Sequence, residues 1–335
     1  MFFLMIRSRA GAHVFGSILA AVLCLGPTLA DAAGFQFIDT PADAGGPALK
    51  GAVWYPCASP PDLIDLGSMT IPGVRNCPIS GEKLPLIVIS HGSGGSFVGH
   101  HDTAEALADA GFVVAAINHP GDNSRDKERR GYLSIFVSRP LDMKRLLDAM
   151  LADWPDHAKI DADRIGFFGF SRGGYTGLVM IGANPDFHKG EAFCAKLPDV
   201  PMCEQIRAGE IPTQPLVHDP RVKAIAIADP LSFFTAEGLK NITTPIQLWA
   251  SEFGGDGVTP ESVAAIDRDL PTKPDYRVAP GAAHFAFLAP CPQQLIKAIP
   301  EICVDAAGFD RVAFHKEFNA AVVAFFREHL LASRP

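Results

Sequence analysis

Short apolar runs alternate along the chain with stretches whose apolar residues recur at helical spacing. The runs predict buried strands, and the spaced stretches predict helices. Strands are predicted at 48–55, 84–90, 112–117, 164–168, 222–228, 246–250 and 276–279, and helices at 102–110, 141–154, 175–183 and 314–331. Because such alternation gives a mostly parallel sheet with helices on both faces, the predicted fold class is α/β.

Two long segments interrupt the alternation. Residues 56–83 contain several prolines and glycines and are predicted to form a loop. Residues 184–219 lie between a predicted helix and the next predicted strand, and they lack clean periodicity. Since long irregular segments inside compact domains are usually functional, we interpret 184–219 as an insertion over the site. A surface excursion tied down by a disulfide is the alternative.

The first 30 residues have the pattern of a secretory signal peptide. Arg7 and Arg9 precede an apolar stretch at 14–25, and small residues suited to cleavage follow it. The apolar stretch is too short to span a bilayer comfortably, although an uncleaved anchor is an alternative. We therefore predict a signal peptide at 1–30 and a single domain at 31–335. The mature chain is expected to be periplasmic or extracellular, with no integral membrane span.

The cysteines agree with export to an oxidising compartment. Seven are present, and Cys24 falls within the predicted signal peptide. The other six form three close pairs in stretches without regular periodicity, where a short disulfide disrupts no element. The spacing favours the pairs Cys57–Cys77, Cys194–Cys203 and Cys291–Cys303 among the possible connectivities.

Composition narrows the class of protein. Hydrophobic residues make up 48% of the 335 residues and charged residues 20%, which is typical of a globular chain with ample core. The formal net charge of −8 comes without any basic run that could neutralise phosphates. We therefore expect no nucleic-acid partner.

The sequence Gly169-Phe170-Ser171-Arg172-Gly173 is a G-x-S-x-G pattern between a predicted strand and a predicted helix. In that context the pattern indicates a nucleophile elbow, a sharp turn that exposes a serine at the end of a strand. Glycines on both sides of Ser171 leave room for the neighbouring strand and helix. The alternative is a strand–helix turn whose glycines serve packing alone.

A serine nucleophile needs a base and an acid that orients the base. His284 follows the last predicted strand among small residues and is the predicted base. Asp256 lies after the strand at 246–250 and is the preferred acid, with Asp229 as the alternative and Glu252 as a third candidate. In sheets of this type the three residues follow the order serine, acid, histidine.

The developing oxyanion needs hydrogen-bond donors. The glycine-rich turn at 91–95 follows a central strand and can direct backbone N–H groups inward. The predicted donors are the backbone amides of Ser93 and of Arg172, the residue after the nucleophile. His91 is interpreted as an orienting or packing residue of this turn instead of a second base.

Metal-dependent chemistry finds little support in the sequence. The cysteines form no C-x-x-C pair with zinc-ligand spacing. His100, His101 and Asp102 are adjacent at the start of a predicted helix, where neighbouring residues do not share a face. We interpret them as an exposed first turn and expect neither a metal nor a cofactor. Asn118 and His119 follow another strand and are weaker candidates for lining the pocket.

Several motifs together resemble the exported "predicted dienelactone hydrolase" group of α/β-hydrolases, which is similar to the platelet-activating-factor acetylhydrolases. They are SHGSGG at 90–95, GFVVAA at 111–116, NHPG at 118–121, GFSRGG at 169–174 and GAAHF at 281–285. The resemblance spans about 48–330 and implies the α/β-hydrolase fold, with Ser171, His284, Ser93 and Arg172 in the roles given above. The acetylhydrolases would place the acid at Asp229, and most dienelactone-hydrolase-like sequences at Asp256. True dienelactone hydrolases have cysteine at the position of Ser171, so the substrate does not follow from the resemblance.

The expected function is therefore that of a secreted serine hydrolase that cleaves carboxylic esters through an acyl-enzyme. The expected partner is a small or lipid-like ester. Amides and thioesters are alternative substrates because the same triad attacks all three acyl groups. A non-catalytic binding protein on this fold is the alternative from a different class.

Overall fold

The computed structural model describes residues 1–2, 32–67, 69–195 and 198–332. Ten strands within these ranges form one sheet. The strands are β1 (Gly34–Thr40), β2 (Leu49–Tyr55), β3 (Asp62–Asp65), β4 (Thr70–Arg75), β5 (Leu84–Ser90), β6 (Val113–Asn118), β7 (Ile160–Phe170), β8 (Val222–Ala228), β9 (Ile246–Ser251) and β10 (Asp275–Ala279).

The sheet has the strand order β10-β9-β8-β7-β5-β6-β2-β1-β4-β3. The six strands from β10 to β6 are parallel to one another. On the other side, β2 pairs antiparallel with both β6 and β1. The carboxyl ends of the six parallel strands therefore meet at one edge, which is where ligands bind in open sheets of this kind.

Helices cover the sheet. They are α1 (His101–Asp109), α2 (Leu133–Ala152), α3 (Arg172–Met180), α4 (Gly190–Cys194), α5 (Pro201–Ala208), α6 (Ala236–Leu239), α7 (Pro260–Asp269), α8 (Gln293–Ala298), α9 (Pro300–Cys303) and α10 (Arg311–Phe326). Short 3₁₀ turns occur at His157–Lys159, Phe187–Lys189 and His284–Phe287, and a π turn at Arg327–Leu331 continues α10.

The core has one layer on each face of the sheet, because side chains alternate along every strand. Leu86 and Val88 of β5 belong to the apolar cluster that includes residues of α2 and α3. Ile87 and Ile89 of the same strand belong to the opposite cluster, with residues of α1 and α10. Burial on both faces explains why the parallel strands read as continuous apolar runs.

Two sequence predictions need correction. Residues 56–83, predicted to be a loop, contain the strands β3 and β4 at one end of the sheet. Exposed positions and Pro72 hide the apolar alternation of these two strands. The helix predicted at 141–154 begins earlier, at Leu133, and contains Pro140 in its interior. Proline usually ends a helical pattern, which explains the shortened prediction.

The described residues between 32 and 332 form one compact unit. The predicted signal peptide at 1–30 lies, apart from Met1 and Phe2, outside the described residues. In the part of the chain that the structure describes, no helix is long and apolar enough to cross a membrane.

Candidate active site

Ser171 stands in a strained turn between β7 and α3. Its φ is 55° and its ψ is −117°, a conformation rare for residues other than glycine. The Ser171 N–H donates to the carbonyl oxygen of Ala228 at 2.9 Å, and this bond fixes the turn against β8. Strand, tight turn and helix follow one another as the G-x-S-x-G pattern predicts.

The neighbouring glycines are required by close backbone approaches. A Cβ atom at Gly173 would lie 1.8 Å from the carbonyl oxygen of Ser90. A Cβ atom at Gly169 would lie 2.3 Å from the carbonyl oxygen of Gly173. Any side chain at either position would therefore push the elbow away from β5 or from its own helix.

His284 begins the 3₁₀ turn that follows β10. Its N–H donates to the carbonyl oxygen of Gly254 at 2.9 Å, and its ring packs on Phe170, with 4.6 Å between the ring centroids. Since Phe170 directly precedes Ser171, this packing brings the imidazole to the elbow. The Nε2 atom of His284 is buried and has no hydrogen-bond partner among the described residues.

The carboxylate on His284 belongs to Asp229. Its Oδ2 lies 3.0 Å from Nδ1 of His284, and both side chains are almost fully buried. Asp229 also accepts hydrogen bonds from the N–H and the Oγ of Ser251, at 2.7 and 2.5 Å. The N–H and the hydroxyl of Ser251 and Nδ1 of His284 therefore hold the carboxylate in place. The bond to Nδ1 orients the imidazole and leaves its Nε2 free.

The structure therefore places Asp229, the alternative, and not the preferred Asp256, against the predicted base. Sheet register explains the result, because Phe170 pairs with Ala228, so Asp229 follows β8 at the level where Ser171 follows β7. Asp256 lies in an exposed turn in which Gly255 and Val258 exchange backbone hydrogen bonds.

Glu252, the third candidate, contacts the loop that precedes His284. Its carboxylate accepts from the Gly281 N–H at 2.6 Å, in the turn that precedes His284. It therefore contacts the backbone of the loop and not the imidazole of His284.

The predicted oxyanion donors lie beside the elbow. Arg172 is the first residue of α3, where a backbone amide has no acceptor within the helix. Ser93 lies in the turn after β5. Both residues line a cavity of about 310 Å³ together with Ser171. The cavity therefore contains the predicted nucleophile and both predicted donors.

The segment 184–219 covers part of this cavity. It contains α4 and α5, and Phe193, Asp199, Val200 and Pro201 from this segment line the cavity together with Ser171. Cys194 and Cys203 join the two helices, with 5.4 Å between their Cα atoms. The apolar side chains of Phe193, Val200 and Pro201 therefore form part of the cavity wall.

The other two disulfides join Cys57 to Cys77 and Cys291 to Cys303. All three pairs are the local ones that the spacing favours. The third closes the loop that follows His284 and holds α8 next to α9. Among the described residues, no cluster of three or more His, Cys, Asp or Glu side chains could hold a metal ion.

A buried polar network that the sequence did not predict lies behind the oxyanion turn. Asp122, fully buried after β6, accepts from Nη1 of Arg172 at 2.7 Å and Nη1 of Arg139 at 2.9 Å, and from the Gly94 N–H at 3.1 Å. Burial opposes ionisation of Asp122, but Arg172 and Arg139 outweigh it and lower the pKa of this carboxyl. In the sequence, the only indication of this network was the position of Asp122 directly after the NHPG motif.

A second Ser–His–Asp chain belongs to the same network. Ser90 Oγ lies 2.9 Å from Nε2 of His119, and Nδ1 of His119 lies 3.0 Å from Oδ2 of Asp142. Burial raises the pKa of Asp142 to about 7 and holds the pKa of His119 well below its usual range. His91 is also buried and accepts the His119 N–H on Nε2 at 3.2 Å, in line with a packing role.

The residues 100–102 differ from the exposed turn that was predicted. The ring of His100 is buried between Phe168 and Phe170, with centroid distances of 5.2 and 5.5 Å. Asp102 accepts from Nδ1 of His315 at 2.5 Å. At the start of α1, His100 therefore packs in the core against β7, and Asp102 contacts α10.

Comparison with known proteins places these features in context. Residues 81–205 match a family described as serine aminopeptidase, S33. Over 175 residues the chain is 30% identical to the platelet-activating factor acetylhydrolase of Canis lupus familiaris, an alignment that covers 38% of this chain and only 39% of that protein. A ferulic acid esterase from Streptomyces cinnamoneus has the same fold, with a TM-score of 0.60 at 18% identity over 94% of this chain and 95% of its own.

Proposed function

We propose that this chain, which has the α/β-hydrolase fold, is an exported serine esterase that hydrolyses carboxylic esters through an acyl-enzyme on Ser171. The observation that supports the proposal most is the Asp229–His284 hydrogen bond beside the strained serine, with Nε2 of His284 left without a partner. That arrangement has the three groups that nucleophilic catalysis by serine requires.

In the first half of the reaction, Ser171 Oγ attacks the ester carbonyl carbon and its proton passes to Nε2 of His284. Asp229 stabilises the imidazolium that forms. The carbonyl oxygen becomes an oxyanion and accepts from the backbone N–H groups of Ser93 and Arg172. The tetrahedral intermediate collapses when the bond to the alcohol oxygen breaks, and His284 protonates that oxygen as the alcohol leaves.

In the second half, a water molecule attacks the acyl carbon and gives its proton to His284. The bond to Ser171 Oγ then breaks, the serine recovers its proton, and the carboxylic acid leaves. No metal or other cofactor is needed for these steps.

Esters are preferred over amides and thioesters because two similar proteins are named as an acetylhydrolase and a ferulic acid esterase. The cavity of about 310 Å³ is lined by Phe193, Val200 and Leu231 in addition to polar groups, which suits a small or lipid-like ester. The dienelactone-hydrolase-like subtype rests on the motif resemblance alone. Export rests on the pattern of residues 1–30 and is consistent with three disulfides.

The test is covalent labelling with a fluorophosphonate, combined with hydrolysis of 4-nitrophenyl esters of increasing acyl length. We expect one adduct, on Ser171, and loss of both labelling and hydrolysis in folded Ser171→Ala. The acyl-length series reports how deep the cavity is. Folded wild-type protein without an adduct would support the alternative of a non-catalytic binding protein.

A further inference from the structure

Asp122 contacts both sides of the predicted oxyanion hole. Its Oδ1 accepts from the backbone N–H of Gly94, the residue after Ser93. Its Oδ2 accepts from the guanidinium of Arg172, whose own backbone N–H is the second predicted donor. One carboxylate therefore connects the turn after β5 to the start of α3.

Arg139 also holds this carboxylate, at the same oxygen as Arg172. The side chain of Arg139 is fully buried, and its Nη1 donates to Oδ2 of Asp122 at 2.9 Å. Its Nη2 donates to the carbonyl oxygen of His91, at the beginning of the oxyanion turn. Arg172 is held further by the ring of Phe136, 4.9 Å from its Cζ.

We propose that Asp122 is a positioning residue that couples the Ser93 amide and the Arg172 amide, so that both point at one oxyanion. The inference rests on the proposed function. Donors of an oxyanion hole act only within a narrow range of distances, and here they come from two separate elements. A shared buried carboxylate removes their independent motion.

The charges in the network also favour an oxyanion at the two amides. Two guanidinium groups meet one carboxylate at Asp122, which leaves an excess of positive charge behind the two amides. Since these groups are buried, water screens them little, and they favour negative charge on the substrate oxygen. Asp142 lies in the same network, but burial raises its pKa to about 7, which reduces its opposing charge.

The test compares Asp122→Asn and Arg172→Met with wild-type protein. Asparagine keeps the shape of the side chain and loses its charge, whereas methionine keeps packing on Phe136 and loses the contact to Asp122. With 4-nitrophenyl acetate we expect kcat to fall about 10- to 100-fold in each variant, with KM changed less than about threefold. The double variant should be little worse than either single variant, and Arg172→Lys should recover part of kcat.

The control is Arg311→Met, which removes a similarly buried arginine from its ion pair with Asp305. It should lower the melting temperature and leave kcat unchanged. An equal loss of kcat in this control, or wild-type kcat in folded Asp122→Asn, would overturn the inference.

Hydrogen exchange separates this inference from the proposed function. In Asp122→Asn, and not in Arg311→Met, we expect faster backbone exchange in peptides covering both 91–99 and 169–175. Faster exchange at both segments in a protein without esterase activity would support the coupling and reject the esterase. Unchanged exchange at either segment would reject the coupling, whatever the activity.

Discussion

Ser171, Asp229 and Asp256 are three of the five residues other than glycine whose φ is positive in the described part of the chain, with values of 55°, 41° and 47°. Left-handed backbone disfavours most side chains by about 1–2 kcal/mol, and Asp and Asn tolerate it better than most. Two of the three residues belong to the candidate triad. Such strain persists where the surrounding structure holds it, and here hydrogen bonds from Ser171 to β8 and from Ser251 to Asp229 do so.

Asp229→Asn is expected to fold and to lose about 10⁴-fold in kcat, because the amide cannot stabilise the imidazolium or fix the useful tautomer of His284. Asparagine fits the left-handed backbone and still accepts from the Ser251 N–H. The matched variant is Asp256→Asn, which has the same chemical change on the same cavity and should retain kcat within a few-fold. Steady-state kinetics with 4-nitrophenyl acetate measures kcat of both variants. A larger loss of kcat in Asp256→Asn than in Asp229→Asn would identify Asp256 as the acid.

At this scale the sequence predicted the serine, the histidine and the elbow glycines from local pattern. It could not choose the acid, because the choice depends on which strand lies next to β7 and on the register of that pairing. The contacts of Asp122 with Arg139 and Arg172 were invisible for the same reason, since 17 and 50 residues separate the partners.

At the scale of elements, the segment 184–219 is the part that sequence periodicity described least. Its helices α4 and α5 are short, with five and eight residues, and short helices depend on tertiary contacts for stability. The Cys194–Cys203 disulfide joins them next to the cavity. The strands β1, β3 and β4 at one end of the sheet were missed as well, whereas the buried parallel strands were predicted to within a few residues of their ends.

Replacing Cys194 and Cys203 by alanine is expected to raise KM for 4-nitrophenyl butyrate by about 3- to 10-fold, because Phe193 and Val200 lose their fixed positions. The free energy of unfolding should fall by about 2–3 kcal/mol from loop entropy. The matched control removes Cys57–Cys77, which lies outside the cavity lining, and should lower stability without changing KM. Equal KM values in the two double variants would show that the disulfide does not shape the cavity.

For the whole molecule, burial of histidines links stability to pH. Burial lowers the pKa of His91 to about 3 and that of His100 to about 4. In the unfolded chain histidine binds a proton below about pH 6.5. Between that pH and the folded pKa the unfolded chain binds more protons, so each residue makes stability fall as pH falls. Asp142 acts in the opposite direction, because burial raises its pKa to about 7.

His100→Phe tests this link at one position. Neither ring nitrogen of His100 makes a hydrogen bond within the described part of the chain, and the ring already lies between two phenylalanines. The variant should fold. Between about pH 6.5 and pH 4, the slope of its unfolding free energy against pH should be smaller than that of the wild-type protein by about 1.4 kcal/mol per pH unit. Urea unfolding at several pH values measures the slope. A slope equal to that of the wild-type protein would contradict the prediction.

The buried chain of Ser90, His119 and Asp142 has a consequence for finding active sites by geometry. It contains both hydrogen bonds of a charge-relay arrangement, whereas the Ser171 site contains only the bond from His284 to Asp229. A template search that ranks sites by hydrogen-bond connectivity would therefore choose Ser90 first. Ser90 is fully buried at the end of an extended strand, with Arg139 Nη2 3.5 Å from its hydroxyl, and no substrate carbonyl can reach it. Contact with the cavity and a positive φ, more than the identity of the hydrogen-bond partners, distinguish Ser171 from Ser90.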